Sequence, residues 1–349
     1  YRFKGDFGME NKTYGVVLIG CGHIGRSHIE EIYYRDGVRI VGVVDTLEEN
    51  ARLFAKKYGA ESWDTDYHPY LDRKDVDIVI VATYADSHLP ILRDCIAAGK
   101  HVLCEKPMTE CSEEDAEEFY RLAKNSSSKV LIAHILRHND TYKLARKMIQ
   151  EGKIGEVRLI RMVQNHHVMN PDRYARLLRD CPPFVDCGVH YIDVARWFTG
   201  LEVTSIGGIG SRVGELAAPG EFDHGVLTMR LENGASVYYE AGWTESLAAE
   251  NLKEFIGNKG RIRIVLKEFR KEDQEEGDLI QYYDAVNKVY HTINSPSVYK
   301  NMWAQLQCLI DMIEGRSEGS PTLDDAYKAF QIALLGWKAL REGTTLPVK

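Results

Sequence analysis

The sequence predicts an α/β protein with two domains of different architecture. Up to about residue 133, short continuous apolar runs alternate with helix-like segments, which is typical of a doubly wound parallel sheet. From about residue 156 the apolar residues alternate with polar ones over longer runs, which indicates an α+β domain with a large, mostly antiparallel sheet. We therefore expect domains at 14–135 and 136–349, preceded by a leader-like or tag-like segment at 1–13.

In the first half, five apolar runs predict buried strands. Continuous apolar character, without alternation, suits strands that are covered on both faces by helices. The predicted strands are 16–19, 38–44, 76–82, 101–104 and 130–133, and the predicted helices between them are 23–34, 47–58, 87–98 and 112–124.

In the second half, alternating runs and turn residues predict paired strands. Asn233-Gly234 and Asn258-Lys259-Gly260 separate consecutive runs and favour hairpin turns. The predicted strands are 156–168, 202–213, 224–231, 235–243, 252–257 and 261–267, and the predicted helices are 141–152, 296–315 and 322–342.

Charge and composition exclude several classes of protein. The formal net charge is −8 and the chain has no basic cluster, so a nucleic-acid partner is not expected. The apolar runs are no longer than a strand, so the sequence predicts no membrane span. Seven scattered cysteines without a C-x-x-C spacing indicate a reducing, cytoplasmic location and neither a disulfide framework nor a zinc knuckle. No metal site is expected, although Asp186, His190 and Asp193 could form a modest ligand set.

The first predicted strand ends in Gly20-Cys21-Gly22-His23-Ile24-Gly25, a G-x-G-x-x-G turn that opens a helix. In such a turn the first glycine allows the bend, the second lets the backbone approach a pyrophosphate, and the third lets the helix pack closely on the strand. We expect backbone N–H groups around His23 and Ile24 to bind the phosphates of a dinucleotide. This motif predicts a Rossmann domain.

Asp45 follows the second predicted strand, and no arginine comes directly after it. An acidic side chain at this place accepts hydrogen bonds from the ribose hydroxyls and repels a 2′-phosphate. With Thr46 beside it, Asp45 predicts NAD rather than NADP as the cofactor.

Two further segments concentrate groups that can transfer protons. Glu105-Lys106-Pro107 follows a buried strand, where ligands bind in open α/β sheets. Asp186, His190 and Asp193 are spaced by four and then three residues, which predicts one helix face. A surface ion pair at 105–106, or a helix cap with a core histidine at 186–190, remains an alternative for each segment considered alone.

Together these motifs resemble the Gfo/Idh/MocA oxidoreductase family over almost the whole chain. The landmarks occur in order: GCGHIG, VVDT, VATYADSH, AGKHVLCEKP, EGKIGEVRLIR and DCGVHYIDVARW. The resemblance implies hydride exchange between NAD and a secondary alcohol of a sugar, inositol or related polyol. It also implies a homodimer or homotetramer that uses the second sheet. Two alternatives within the same fold are an NAD-dependent glycosidase and a non-catalytic dinucleotide-sensing regulator.

The resemblance also implies roles for individual residues. Lys106, Asp186 and His190 match the catalytic set, with His190 taking the proton, Asp186 orienting its ring or binding a hydroxyl, and Lys106 contacting the reacting oxygen. It is left open whether Lys106 or His190 is the main proton carrier. The expected cofactor contacts are Gly20, Gly22, His23, Ile24, Gly25, Asp45, Thr46, Thr83, Tyr84, His88, Glu105 and Lys106, and the expected substrate contacts are Arg137, His167 and Trp243.

The chain departs from the family pattern in two places. Thr83-Tyr84-Ala85 stands where Thr-Pro-Asn is common, and Cys181-Pro182-Pro183 stands where a glycine pair is common. The loop beside the cofactor and the mouth of the substrate site are therefore expected to differ in shape from those of relatives.

Overall fold

The computed structural model describes residues 12–168, 170–269, 276–296, 298 and 300–349. Residues 1–11, which hold most of the predicted leader, lie outside the described residues, so that prediction stays untested. Within the described ranges, no helix combines the length and the apolar character needed to cross a membrane.

The described N-terminal strands form one sheet of six parallel strands in the order β3-β2-β1-β4-β5-β6. Strands β1 and β4 are neighbours although β2 and β3 lie between them in sequence, so the strand order reverses between β1 and β4. Ligands bind outside the carboxyl ends of the strands at such a reversal. The strands are β1 (Tyr14–Ile19), β2 (Val38–Val44), β3 (Trp63–Asp64), β4 (Ile78–Val81), β5 (His101–Cys104) and β6 (Val130–Ile132).

Helices cover both faces of this sheet because its strands are apolar on both faces. They are α1 (His23–Ile32), α2 (Glu48–Tyr58), α3 (His68–Leu71), α4 (His88–Ala97) and α5 (Glu113–Lys124). Local sequence sets several helix ends: the Ser112 side chain accepts from Asp115 N at the start of α5, and α2 ends at Gly59 in the left-handed region. The predicted parallel sheet is therefore confirmed.

The second sheet has nine strands within the described residues, in the order β14-β13-β12-β11-β7-β10-β9-β8-β15. Only the β7–β10 pair is parallel, and the other described pairs are antiparallel. The strands are β7 (Val157–His167), β8 (Val203–Ser211), β9 (His224–Leu231), β10 (Ser236–Thr244), β11 (Glu250–Gly257), β12 (Gly260–Val265), β13 (Asp278–Asp284), β14 (Val289–Ser295) and β15 (Thr345–Pro347). The predicted mostly antiparallel sheet is confirmed.

Helices from the second half pack on this sheet and also reach the first one. They are α6 (Asp140–Gln150), α7 (Pro171–Asp180), α8 (Pro183–Asp186), α9 (Gly188–Thr199), α10 (Met302–Ile313) and α11 (Leu323–Glu342). Leu306 and Leu309 of α10 lie in the same apolar cluster as β1 and α1, so a late segment of the chain helps to cover the parallel sheet.

The structure corrects the sequence interpretation at α7, at β13–β15 and at the segment 186–193. The sequence analysis did not predict the short elements β3 and α3, the helix α7 or the strands β13, β14 and β15. The single helix expected to carry Asp186, His190 and Asp193 is two helices, because α8 ends at Asp186 and α9 begins after Cys187. Pro182 and Pro183 start the short helix separately, since proline favours the first turn of a helix.

Candidate active site

The glycine turn lies at the carboxyl end of β1, at the reversal of strand order. Gly20 has φ +98°, and an added Cβ would lie 2.5 Å from the Ala82 carbonyl oxygen. A Cβ on Gly25 would lie 1.8 Å from the Gly20 carbonyl oxygen, so helix α1 approaches the turn too closely for a side chain. A Cβ on Gly22 would meet nothing within 4 Å, which leaves open space above the turn.

That open space lies at the N-terminus of α1. Gly22 is the N-cap residue, and no side chain of the described residues caps the helix. Gly22 and His23 are exposed, while Ile24 is half-buried. Free N–H groups and the positive end of the helix dipole suit a pyrophosphate, so the turn has the shape and the donors that a dinucleotide requires.

Asp45 is fixed at the end of β2 by two backbone donors. Its Oδ2 accepts a hydrogen bond from Cys21 N at 2.8 Å, and its Oδ1 accepts one from Leu47 N at 2.9 Å. The carboxylate is therefore held against the glycine turn, with Thr46 exposed next to it. This placement fits the ribose contact expected of Asp45.

The loop after β4 carries the next three predicted cofactor residues. Thr83 Oγ1 accepts from Ser87 Oγ at 2.7 Å, and Tyr84 is exposed with the Arg176 guanidinium of α7 3.8 Å from its ring centre. His88 is buried, and its ring nitrogens lie 2.9 Å from the Pro107 carbonyl and 3.3 Å from the Thr83 carbonyl. His88 therefore braces the two loops from inside, whereas Thr83 and Tyr84 are accessible.

Glu105 is also internal. Its Oε1 lies 2.8 Å from Nε2 of His28, a fully buried residue of α1, and its Oε2 accepts from Lys106 N. Burial raises the pKa of Glu105, but the hydrogen bond from His28 and the charges of His28 and Lys106 outweigh it, so the net pKa is lowered. This buried carboxylate ties β5 to α1 directly beneath Lys106.

Lys106 and Asp186 meet across the cleft between the two sheets. Lys106 Nζ donates to Asp186 Oδ1 at 2.7 Å and to the Asp186 carbonyl at 3.2 Å, and both side chains are less than a fifth exposed. Burial lowers the pKa of Lys106, but the charge of Asp186 outweighs it and the net pKa is raised. The lysine is therefore a fixed cation that can donate a hydrogen bond to a substrate oxygen.

His190 lies one turn into α9, close enough to Lys106 to be affected by its charge. Burial, Lys106 and His134 hold the pKa of His190 well below its ordinary value. The imidazole is thus neutral near pH 7 and able to accept a proton. In the structure Asp186 binds Lys106. The ring of His134 contacts that of His190, with centroids 5.6 Å apart in an edge-to-face arrangement.

Behind His190 lies a buried ion-pair network that the sequence analysis did not assign. Arg137 donates from Nε and Nη2 to the two carboxylate oxygens of Asp193, at 2.8 and 2.6 Å, and from Nη1 to Asp325. Asp193 Oδ2 lies 3.6 Å from His134 Nδ1. Burial raises the pKa of Asp193, but His134 and Arg137 outweigh it and the net pKa is lowered.

The three predicted substrate residues have different surroundings in the structure: two carboxylates bind Arg137, His167 points away from the face that carries His166, and Trp243 lies opposite His166. Arg137 is held between Asp193 and Asp325. His167 is exposed, and its Nδ1 lies 3.1 Å from the Leu247 carbonyl oxygen. It points to the opposite face of the sheet from His166, because neighbouring residues of a strand point to opposite faces. Trp243 is buried, opposite His166 in the β10–β7 register.

His166, rather than His167, is the β7 histidine on which the charges of Lys106 and Asp186 act. Burial lowers the pKa of His166, and the charge of Asp186 opposes that effect while Lys106 adds to it. Lys253 of β11 lies on the same face of the sheet, fully buried, with Nζ 5.0 Å from the Tyr191 ring centre. Burial lowers the pKa of Lys253 to about 7.

Some of these missed residues carry a signal in the sequence. His134 directly follows the apolar run at 130–133, at the carboxyl end of a strand, where site residues are expected. Strand alternation alone could have shown that only one of His166 and His167 faces the helices, although it does not show which. Among the described residues, no group of three or more His, Cys, Asp or Glu side chains is arranged to hold a metal ion.

With this geometry established, comparison with known proteins assigns the family. Residues 14–134 match the family model described as the oxidoreductase family with an NAD-binding Rossmann fold, and residues 142–263 match the GFO/IDH/MocA C-terminal domain. The chain belongs to the Gfo/Idh/MocA oxidoreductase family. The sequence-based predictions of the family, of an oxidoreductase and of NAD as the cofactor are confirmed.

Individual relatives agree with this assignment. The chain is 30% identical to inositol 2-dehydrogenase 1 of Mycolicibacterium vanbaalenii, over 72% of each chain. It is 27% identical to scyllo-inositol 2-dehydrogenase (NAD(+)) of Bacillus subtilis, over 73% of this chain and 75% of the relative. The crystal structure of aldose-aldose oxidoreductase from Caulobacter crescentus complexed with glycerol has the same fold, with TM-score 0.83 and 21% identity over 97% of this chain and all of that one.

Proposed function

We propose that the protein is an NAD-dependent dehydrogenase that oxidises a secondary alcohol of an inositol or related polyol. The observation that carries the proposal is a fixed cation, Lys106, that is held by Asp186 and whose charge acts on the neutral imidazole of His190. The names of the inositol dehydrogenase relatives support the polyol class. The glycosidase and regulatory alternatives gain no support from these relatives, which are dehydrogenases by name.

In this proposal each residue has a separate task. NAD, held by the glycine turn and Asp45, would supply the hydride acceptor for the carbinol carbon. Lys106 donates a hydrogen bond to the reacting oxygen and stabilises the negative charge that develops there. His190 takes the hydroxyl proton, because its lowered pKa keeps it neutral, whereas the raised pKa of Lys106 keeps the lysine protonated. Asp186 holds Lys106 in place through the 2.7 Å contact.

We assign the first domain, 14–135, to the cofactor and the second, 136–349, to substrate and subunit contacts. Gly20, Gly22, His23, Ile24, Gly25, Asp45, Thr46, Thr83, Tyr84, Glu105 and Lys106 remain the proposed cofactor residues, with His88 bracing their loops. Ile209 and Tyr290 are large apolar side chains exposed on β8 and β14. These two strands lie near opposite edges of the nine-stranded sheet, so our proposal of a homodimer or homotetramer in the cytoplasm rests on the family to which the chain belongs.

A panel of polyols and sugars tests the function directly. With NAD in excess, we expect absorbance at 340 nm to rise with myo- or scyllo-inositol in proportion to the polyol oxidised. Release of an aglycone from a glycoside without net NADH would favour the glycosidase instead. Binding of NADH with no turnover of any inositol, sugar or sugar alcohol would favour the regulator.

Cofactor choice depends on Asp45. NADH should bind more tightly than NADPH, because the Asp45 carboxylate would lie next to the 2′-phosphate. The variant Asp45→Asn keeps the side-chain size and can still accept a hydrogen bond from Cys21 N. Its preference for NADH over NADPH should fall by about tenfold or more, because it loses a charge repulsion of about 1.4 kcal/mol with the 2′-phosphate. Nicotinamide fluorescence titrations measure both affinities. Equal preference in the two proteins would contradict the role of Asp45.

A further inference from the structure

We propose that His134 is a positioning residue for His190. Asp193, itself held by Arg137, lies on the other side of His134. These three buried side chains together set the orientation and the charge state of His190, the proton carrier. The proposal rests on the role given to His190 above. It concerns contacts other than the Lys106–Asp186 pair, and it gives a role to the His134 imidazole, which contacts that of His190.

The support of the His190 ring comes from His134. In the described part of the chain, Nδ1 of His190 is buried without a hydrogen-bond partner. A catalytic histidine is commonly oriented by an acceptor at that nitrogen, and Asp186 does not fill this role because it binds Lys106. The edge-to-face contact with His134, at 5.6 Å and 84°, restrains the His190 ring.

The position of His134 is fixed from its other side. Asp193 Oδ2 lies 3.6 Å from His134 Nδ1, too far for a hydrogen bond but close enough for a charge contact, and Nδ1 has no hydrogen-bond partner among the described residues. The same carboxylate accepts two hydrogen bonds from Arg137. Arg137 also contacts Asp325, at the first turn of α11, at 3.1 Å. His134, Asp193 and Arg137 are all at least nine-tenths buried. Breaking the buried Arg137–Asp193 ion pair is strongly unfavourable, so the Asp193 carboxylate is held next to His134.

The same arrangement affects the protonation of His190. Four charged or titratable groups from the surrounding elements act on its ring: Lys106, His134 and Lys300 disfavour the protonated form, and Asp193 favours it. Burial adds to the effect of the first three and lowers the pKa of His190. Removing the His134 imidazole therefore raises that pKa, and the acid limb of the pH–rate profile moves to higher pH.

His134→Phe tests the proposal, because phenylalanine keeps an aromatic edge and removes both ring nitrogens. Histidine-selective NMR of the free enzyme, with the His190 signal assigned by its loss in His190→Asn, follows the titration directly. We expect the His190 midpoint to move up by about one pH unit. The acid limb of kcat/KM should move in the same direction, which a merely structural loss would not cause. His134→Gln, which is also neutral, carries the same test if His134→Phe does not fold.

The control is His291→Phe, since His291 is exposed on β14 and stacks on Tyr282, a contact that phenylalanine keeps. Its His190 titration should match that of the parent protein. An unchanged His190 midpoint in folded His134→Phe and His134→Gln overturns the inference. If the His190 midpoint moves while the pH–rate profile stays in place, His134 does set the charge state of His190, as inferred. The same result would contradict the proposed role of His190 as proton carrier.

Discussion

Replacing Lys106 by methionine should lower kcat/KM by about 10²–10⁴-fold. Methionine keeps most of the side-chain volume but removes the ammonium that stabilises the developing alkoxide. It also leaves Asp186 without its 2.7 Å partner, so substrate positioning suffers as well. Steady-state kinetics on the inositol that the panel identifies measure the loss, and NADH fluorescence establishes that the cofactor still binds.

Lys100 supplies a matched control for this variant. It precedes β5, whereas Lys106 follows that strand, and it is also buried, with Nζ donating to the Arg73 and Val76 carbonyls at 2.6 and 3.0 Å. Lys100→Met should reduce the free energy of unfolding by about 1–3 kcal/mol, because two carbonyl groups lose a donor, and leave kcat/KM near the parent value. Near-normal kcat/KM in Lys106→Met would remove the lysine from the mechanism.

The parallel sheet could be predicted from sequence because its signals are local. Buried strands such as β4 are continuous apolar runs, and the helices between them have their own periodicity and caps. The elements that escaped prediction depend on distant partners. Strand β15 is three residues long and pairs with β8, some 140 residues earlier in the chain. Helix α7 is mostly polar, and Leu178 is the one residue of this helix that is fully buried, so few apolar residues indicate it.

The site divides in the same way. Lys106, Asp186 and His190 belong to short motifs, and the sequence could indicate them before their contacts were known. The contact between His134 and His190 joins residues 56 positions apart, and no local pattern specifies it. For Arg137 the motif indicated a contact that the structure does not show. Its position in the sequence suggested a substrate ligand, but its guanidinium forms ion pairs with Asp193 and Asp325. A sequence motif can place a residue type at the end of a strand. Which residue that side chain contacts depends on tertiary packing.

The second large effect concerns the glycine turn, where Gly22→Ala should weaken NADH binding by at least about tenfold and leave the fold intact. Gly22 has φ −79° and ψ −160°, which alanine adopts without strain, and its Cβ would lie more than 4 Å from the described residues other than its immediate surroundings in the chain. The space above it is needed only when a pyrophosphate approaches the backbone. NADH titration and the thermal unfolding midpoint measure the two quantities on the same sample.

Gly25→Ala is the contrasting variant, three residues further along the same turn. Its Cβ would lie 1.8 Å from the Gly20 carbonyl oxygen, a backbone atom that can move only if α1 shifts away from β1. We therefore expect a lower unfolding midpoint together with weaker NADH binding. If Gly22→Ala instead bound NADH as tightly as the parent protein, the dinucleotide would not approach the backbone at Gly22, and the glycines would serve only the packing of α1 on the sheet.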